Sequence, residues 1–170
     1  MNAIRNTQHT FSSPADPFSA RFGMPLPREM RSDCAGMSWR TFLATYSPGG
    51  GPIRFGSWSV TPLGAGRSEF RARLGIGDTI TQATATASGP VSALTAILYE
   101  GGFQLEILSF HQMRIAGDRT ATFVLCEHDG RRHWAMGLGD DATASSIEAM
   151  IAGANLLHGD GPGLRRTAGN

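Results

Sequence analysis

Thr86-Ala-Ser-Gly-Pro-Val-Ser-Ala-Leu-Thr-Ala-Ile-Leu-Tyr-Glu-Gly-Gly-Phe103 decides how the rest of the chain reads, because it joins the end of an alternating strand to a helix with a marked start and stop. Pro90 suits the first helical position, where its missing N–H would be unpaired in any case, and Val91, Leu94, Ile97 and Leu98 fall on one face. Gly101-Gly102 stops the helix. Upstream the pattern has period two. Residues 53–60 read as a strand; Phe70, Ala72, Leu74 and Ile76 alternate with Arg71, Arg73 and Gly75 in a second; residues 80–87 alternate Thr with Ala in a third. Gly75-Ile-Gly-Asp78 is the turn between the last two.

Downstream the series recurs. Residues 103–115, 120–127 and 132–139 read as strands, with His128-Asp-Gly130 as a hairpin turn between the last two, Asp-Gly being a favoured pair there. A second helix starts near Thr143 as cap and carries Ile147, Met150, Ile151, Ala154 and Leu157 before Gly159. Two βββα units offset by roughly fifty residues predict an α+β domain with pseudo-twofold symmetry, in which each antiparallel sheet is covered by a helix. The unpaired edges such sheets leave make pairing with a second copy a natural outcome.

The segments outside this duplication divide further. Residues 1–20 are polar, with Ser12-Ser13-Pro14 and Asp16-Pro17, and read as a mobile leader. Residues 21–50 read as a connecting segment: a proline-broken apolar stretch, Phe22-Gly-Met-Pro-Leu-Pro27, then a short helix with Trp39, Phe42, Leu43 and Tyr46 on one face, ended by Ser47-Pro-Gly-Gly-Gly-Pro52. Residues 51–159 form the duplicated domain, and 160–170 a flexible tail.

Composition narrows the function. In 170 residues, 15 basic side chains balance 14 acidic ones, so the chain lacks the polycation footprint of nucleic-acid binders. Every one of those basic residues is Arg. The two cysteines, Cys34 and Cys126, form no C-x-x-C, which argues against a disulfide framework or zinc site and fits a reducing cytoplasm. No apolar run is long enough to span a bilayer, and no secretory pattern opens the chain.

Candidate chemistry is sparse. His111, His128 and His133 show no H-x-H or H-x-x-x-H spacing, so no metal is expected, and His128 and His133 read as flanking an exposed turn. Asp140-Asp141 is an acid/base pair in principle, but carboxylates before a helix are explained by capping and the macrodipole. Cys126 lies mid-strand and reads as a small buried residue rather than a nucleophile. Ser88-Gly89 lacks the glycines and lysine of a phosphate loop; what the position offers is free helix-start N–H groups that suit a carboxylate. Arg71 and Arg73 read as the solvated face of a half-buried strand.

Ala87-Ser-Gly-Pro-Val-Ser-Ala-Leu94, Gly102-Phe-Gln-Leu-Glu-Ile-Leu-Ser-Phe110, Ala116-Gly-Asp118, His133-Trp-Ala-Met-Gly-Leu-Gly139 and Ala144-Ser-Ser-Ile-Glu-Ala-Met-Ile-Ala-Gly-Ala-Asn155, taken as a set, resemble the C-terminal regulatory domain of 2-isopropylmalate synthase. The resemblance covers residues 53 to about 158 well. It extends loosely upstream, where Gly23-Met-Pro-Leu-Pro-Arg28 and the residues from Trp39 to Pro48 resemble that enzyme's connecting subdomain. It implies a domain that dimerises and binds leucine as feedback inhibitor of a metal-dependent TIM barrel condensing acetyl-CoA with 2-oxoisovalerate. These residues hold no counterpart of that barrel, for which about 250 residues are typical. The implied role is regulatory rather than catalytic, without cofactor.

Carried over by position, the resemblance places the effector pocket at Gly89, Val91 and Ser92 on the helix-start side. Ile107, Phe110, Thr120 and Leu138 would line the isobutyl side. Ser109-Phe110 stands where the family commonly has Asp-Tyr, which removes a carboxylate for the ligand ammonium, and Arg114 stands where a small residue is usual. Three readings stay open: an effector-binding dimer sensing leucine or a related small acid, a scaffold that dimerises without a ligand, and an accessory subunit completing a separate synthase chain through residues 20–50.

Overall fold

The computed structural model describes residues 15–159, so the first 14 residues of the expected leader and the whole of the expected tail lie outside the described part. The alternating segments form two three-stranded antiparallel sheets, in the orders β1-β2-β3 and β4-β5-β6. The strands are β1 (Ile53–Gly64), β2 (Arg67–Ile76), β3 (Thr79–Ala87), β4 (Glu106–Ile115), β5 (Arg119–His128) and β6 (Arg131–Gly139). Helix α4 (Pro90–Glu100) follows the first sheet and α5 (Ala142–His158) the second. The duplicated βββα architecture is therefore present. Its symmetry extends to detail: the register breaks at Gly56 in β1 and at Leu108 in β4, and these breaks stand the same number of residues apart as the helix caps Gly89 and Asp141.

Boundaries moved for local reasons. Strand β1 runs past residue 60, pairing Pro62 with Ser68, because an edge strand has no outer neighbour to require the missing N–H. Strand β4 begins only at Glu106, since the Phe103 N–H is spent on the Leu98 carbonyl at 2.8 Å, closing the end of α4 with Gly102 at φ +85°. Thr143 does not cap α5. Asp141 does, its Oδ1 accepting from the Ala144 N–H at 2.7 Å, because its carboxylate stands one residue before the first helical turn. Asp129 and Gly130, at φ +49° and +75°, make the expected Asp-Gly hairpin turn.

One core lies between the sheets. Ala72 and Leu74 from β2, Leu94, Ile97 and Leu98 from α4, Val124 and Cys126 from β5 and most of α5 bury one another. The other face of the first sheet is polar and exposed, with Arg71 and Arg73 as expected. Helix α5 is buried almost all round and made largely of small residues. That lets it lie directly on β5 and β6, where a Cβ on Gly137 would overlap the Ser145 carbonyl and one on Gly139 the Ser145 N–H.

The second sheet is covered on both faces, which its sequence pattern did not disclose. Against the face away from α5 lie α1 (Pro17–Phe22), a 3₁₀ turn over Arg28–Met30, α2 (Arg31–Cys34) and α3 (Trp39–Tyr46). Phe18, Leu26, Met30, Cys34 and Phe42 bury against Ile115, Ala121, Phe123 and Met136. Residues 17–20, read from sequence as the end of a leader, are thus a helix. Asp16 caps it through the Ser19 N–H at 2.7 Å, Pro17 opens it and Phe18 is fully buried, edge-on to Phe123 with ring centres 5.1 Å apart. The helix expected before the Pro-Gly linker is α3, with Ser38 as its cap.

Candidate functional site

Two helix starts of the same ancestry are finished differently. At α5 the Asp141 carboxylate accepts from the Ala144 N–H, and Ser145 and Ser146 bond back to the Ala142 carbonyl at 3.1 and 2.7 Å. At α4 the cap is Gly89, in extended conformation at φ −161°, with no side chain to accept from the first amides. Pro90 has no N–H, so the free donors are those of Val91 and Ser92. This end opens into a groove of about 620 Å³ between α4 and the start of β4. Val91, Ser92, Thr95, Ala96 and Tyr99 form its helix wall, and Leu105 and Ile107 its strand wall. Glu100 and Glu106 stand at its rim, and neither has an ion pair among the described residues.

The structure thus brings together Val91, Ser92 and Ile107; Gly89, the cap of α4, stands two residues before Val91 and does not line the groove, and the other expected residues are separated from it. Leu138 pairs with Ala121 on the sheet face turned toward the N-terminal helices and packs there, so it cannot share a pocket with Ile107. Thr120 is buried beside the start of α5, in a different cavity of about 310 Å³ with Gln112, Asp118, Asp140 and Asp141. Phe110 opposes Val124 on the α5 side of the sheet but is 42 % exposed and outside the groove. Strand parity accounts for the first separation. Position along the ladder accounts for the others: Thr120 pairs with Arg114 at the opposite end from the Ile107–Cys126 pair, and Phe110 stands on β4 beyond the register break at Leu108.

The departures from the family pattern also fall elsewhere. Ser109 pairs with Leu125 on the opposite face from Ile107. Arg114 has its side chain 81 % exposed, 3.7 Å from Asp118, and so neither fills the α4–β4 groove nor sets its charge. The groove residues that sequence reasoning missed carried a signal: Thr95, Ala96 and Tyr99 recur with the expected Ser92 at helical spacing as the complement of the buried stripe Ala93, Leu94, Ile97 and Leu98.

The cysteines and the Asp140-Asp141 pair stand outside the groove. Burial pushes the Cys126 thiol up to about 12, and its sulfur is wedged against α5, where a Cβ on Gly153 would lie 2.7 Å away. Cys34 is likewise raised, mainly by burial, with a hydrogen bond from Tyr46 partly opposing. Asp140 pairs with Arg119 at 3.9 Å while Asp141 caps α5, which is the structural role expected for that pair. Among the described residues no three His, Cys, Asp or Glu side chains converge to hold a metal ion, and no helix is long and apolar enough to cross a membrane.

Residues 39–158 match the model of the LeuA allosteric (dimerisation) domain. Similar curated proteins are a 2-isopropylmalate synthase from Clavibacter sepedonicus, 32% identical over 82 residues, or 46% of this chain and 14% of that protein, and one from Rhodospirillum rubrum, 27% identical over 126 residues, or 70% and 23%. Another, from Arthrobacter sp., is 27% identical over 126 residues, covering 69% of this chain and 22% of the relative. The chain therefore spans less than a quarter of the length of these relatives. The family match takes in both βββα units and begins at α3, within the helices that close the second sheet. By that match, and by the duplicated fold that underlies it, the chain belongs to the LeuA allosteric (dimerisation) domain family.

Proposed function

We propose that this domain senses leucine or a related small acid in the α4–β4 groove, and pairs with a second copy, as the regulatory part of a 2-isopropylmalate synthase system. The observation that carries the reading is the uncapped start of α4. A ligand carboxylate would take there the place that the Asp141 carboxylate takes at α5, facing the amides of Val91 and Ser92. Its apolar part would lie along Val91, Leu105 and Ile107, where burying a leucine-sized side chain contributes about 1.5–3 kcal/mol. Glu106, beside Ile107, offers a carboxylate for an ammonium group that the sequence had appeared to lack at residue 109.

Titration calorimetry against leucine, isoleucine, valine and 2-isopropylmalate tests this. A Cβ at Gly89 would meet no atom within 4 Å, so Gly89→Trp sets a bulky side chain beside the free amides of Val91 and Ser92 with no clash at its Cβ. Saturable heat abolished by that substitution supports the reading; silence across the panel rejects it.

A ligand-independent scaffold is favoured by a separate observation. Val60 and Leu63 are 46 % and 56 % exposed at one end of the first sheet, and the Trp58 Nε1 nearby is buried with no acceptor among the described residues. A second copy that covers this end and accepts from Trp58 would satisfy both. Sedimentation equilibrium of Trp58→Phe, expected to weaken self-association at least threefold with little change in folding, checks it. An accessory role beside a separate synthase chain predicts co-purification with a barrel-bearing partner.

A further inference from the structure

The helical turns that precede α3 divide their side chains between two surfaces. Phe18, Leu26, Met30 and Cys34 are buried against the second sheet, which leaves Ser19, Arg28, Arg31, Ser32 and Ala35 for the outer side. With Asp16 they line a cavity of about 580 Å³. It shares no residue with the α4–β4 groove, and it stands upstream of residues 39–158, the part that matches the family.

The charged groups of this cavity are not spent on one another. Asp16 caps α1, its Oδ1 accepting from the Ser19 N–H and its Oδ2 from the Ser19 hydroxyl, both at 2.7 Å. It forms no ion pair with either arginine, and the Arg28 side chain has no hydrogen bond or ion pair among the described residues. Arg31 gives its Nε–H to the Leu26 carbonyl at 2.9 Å, which steadies the guanidinium plane and leaves both terminal amino groups unclaimed. Glu29 and Asp33 adjoin these arginines in sequence but do not line the cavity and pair with neither. The Ser32 hydroxyl stands 3.4 Å from the Asp33 carboxylate, too far to be held firmly, and can turn to another acceptor.

Two unpaired guanidinium groups balance one dianion, and each meets a phosphate through paired N–H donors. The cavity volume falls in the range that takes small organic ligands rather than a bare ion. Asp16 keeps lone pairs beyond those used in capping, so it accepts from a hydroxyl and repels a second anionic group. We propose that this cavity binds the phosphate monoester of a small polyol or sugar, with the phosphate on Arg28, Arg31 and Ser32 and a ligand hydroxyl on Asp16. A monocarboxylate would leave one guanidinium uncompensated, and a ligand anionic at both ends would set one end against Asp16.

The test follows the amide signals of the full chain by NMR during titration, at fixed ionic strength, with glycerol 3-phosphate, inorganic phosphate, malonate and glycerol. Glycerol 3-phosphate should give saturable shifts centred on Ser19, Arg28, Arg31 and Ser32, and bind about threefold or more tighter than inorganic phosphate. Arg28→Gln should weaken it about fivefold or more; that side chain has no partner in the described protein whose loss could disturb the fold. Arg40→Gln, at an exposed position on α3 outside the cavity, should change it less than about twofold. Tighter binding of malonate, equal affinity for inorganic phosphate, shifts spread over the exposed arginines generally, or equal effects of Arg28→Gln and Arg40→Gln would each overturn the proposal. So would a response that does not saturate by about 20 mM, where a millimolar site is nearly full.

Discussion

The side-chain amide of Asn155 grips the backbone of Ile53 from 102 positions away: its Oδ1 accepts from the Ile53 N–H and its Nδ2 donates to the Ile53 carbonyl, both at 2.9 Å. The amide continues the ladder where β1 has no further strand, and it ties the last helix of the second unit to the first strand of the first. Gly51 gives it room, since a Cβ there would overlap the Asn155 side chain.

Replacing Asn155 therefore leaves two buried backbone groups without partners. Each costs about 1–3 kcal/mol, so Asn155→Leu should lose about 2–5 kcal/mol in urea unfolding despite its apolar surroundings. A loss below 1 kcal/mol would mean that the clamp does not hold the units together.

The contact of α5 with the second sheet depends on Gly137. Gly137→Ala drives a Cβ into the Ser145 carbonyl and the Ala149 N–H, which are backbone atoms and cannot swing aside. We expect a loss of about 3 kcal/mol or more, at the upper end of overpacking costs. Gly101→Ala is the control: its nearest neighbours would lie at 3.5 Å, and it should fall within about 0.5 kcal/mol of the parent.

Truncating Phe18 tests whether the N-terminal helices belong to the fold. The ring is fully buried between Phe22, Phe42 and Phe123. Phe18→Ala should cost about 3–5 kcal/mol in a single cooperative transition. A separate early transition would instead make these helices an independent appendage.

The buried thiol makes stability depend on alkaline pH. The folded pKa of Cys126 is pushed by burial from 9.0 up to about 12, above its unfolded value. The folded state thus keeps a proton that the unfolded state gives up. The associated stability is whole below about pH 9 and declines as pH rises toward 12. Urea midpoints measured from pH 8 upward should show this decline, and Cys126→Ala should lessen it, the remainder coming from Cys34 and Tyr46, which burial also raises. Neither cysteine should react with thiol reagents at pH 8 until the chain unfolds.

Much of this was legible in the residues. Alternation in β2, the Gly89-Pro90 start and the Asp-Gly turn are local signals, and local signals suffice for elements because each is set by neighbours within a few positions. They also sufficed for the duplication; Val91, Ser92 and Ile107, which line one groove, were expected there from the resemblance and not from local signals. Leu138, Thr120 and Phe110 were harder. Their parity along a strand was readable, but which body would cover each face was not.

The sequence by itself determined the two βββα units, their turns, and an α4 start with no side-chain acceptor, all consequences of backbone geometry at single residues. Only the tertiary structure decided that residues 17–46 close the second sheet, that Arg114 points away to Asp118, and that Glu100 and Glu106 meet at one rim. Those facts depend on where elements far apart in the chain come to rest, and burial of apolar faces is non-directional: it demands a cover for each face without naming which segment supplies it.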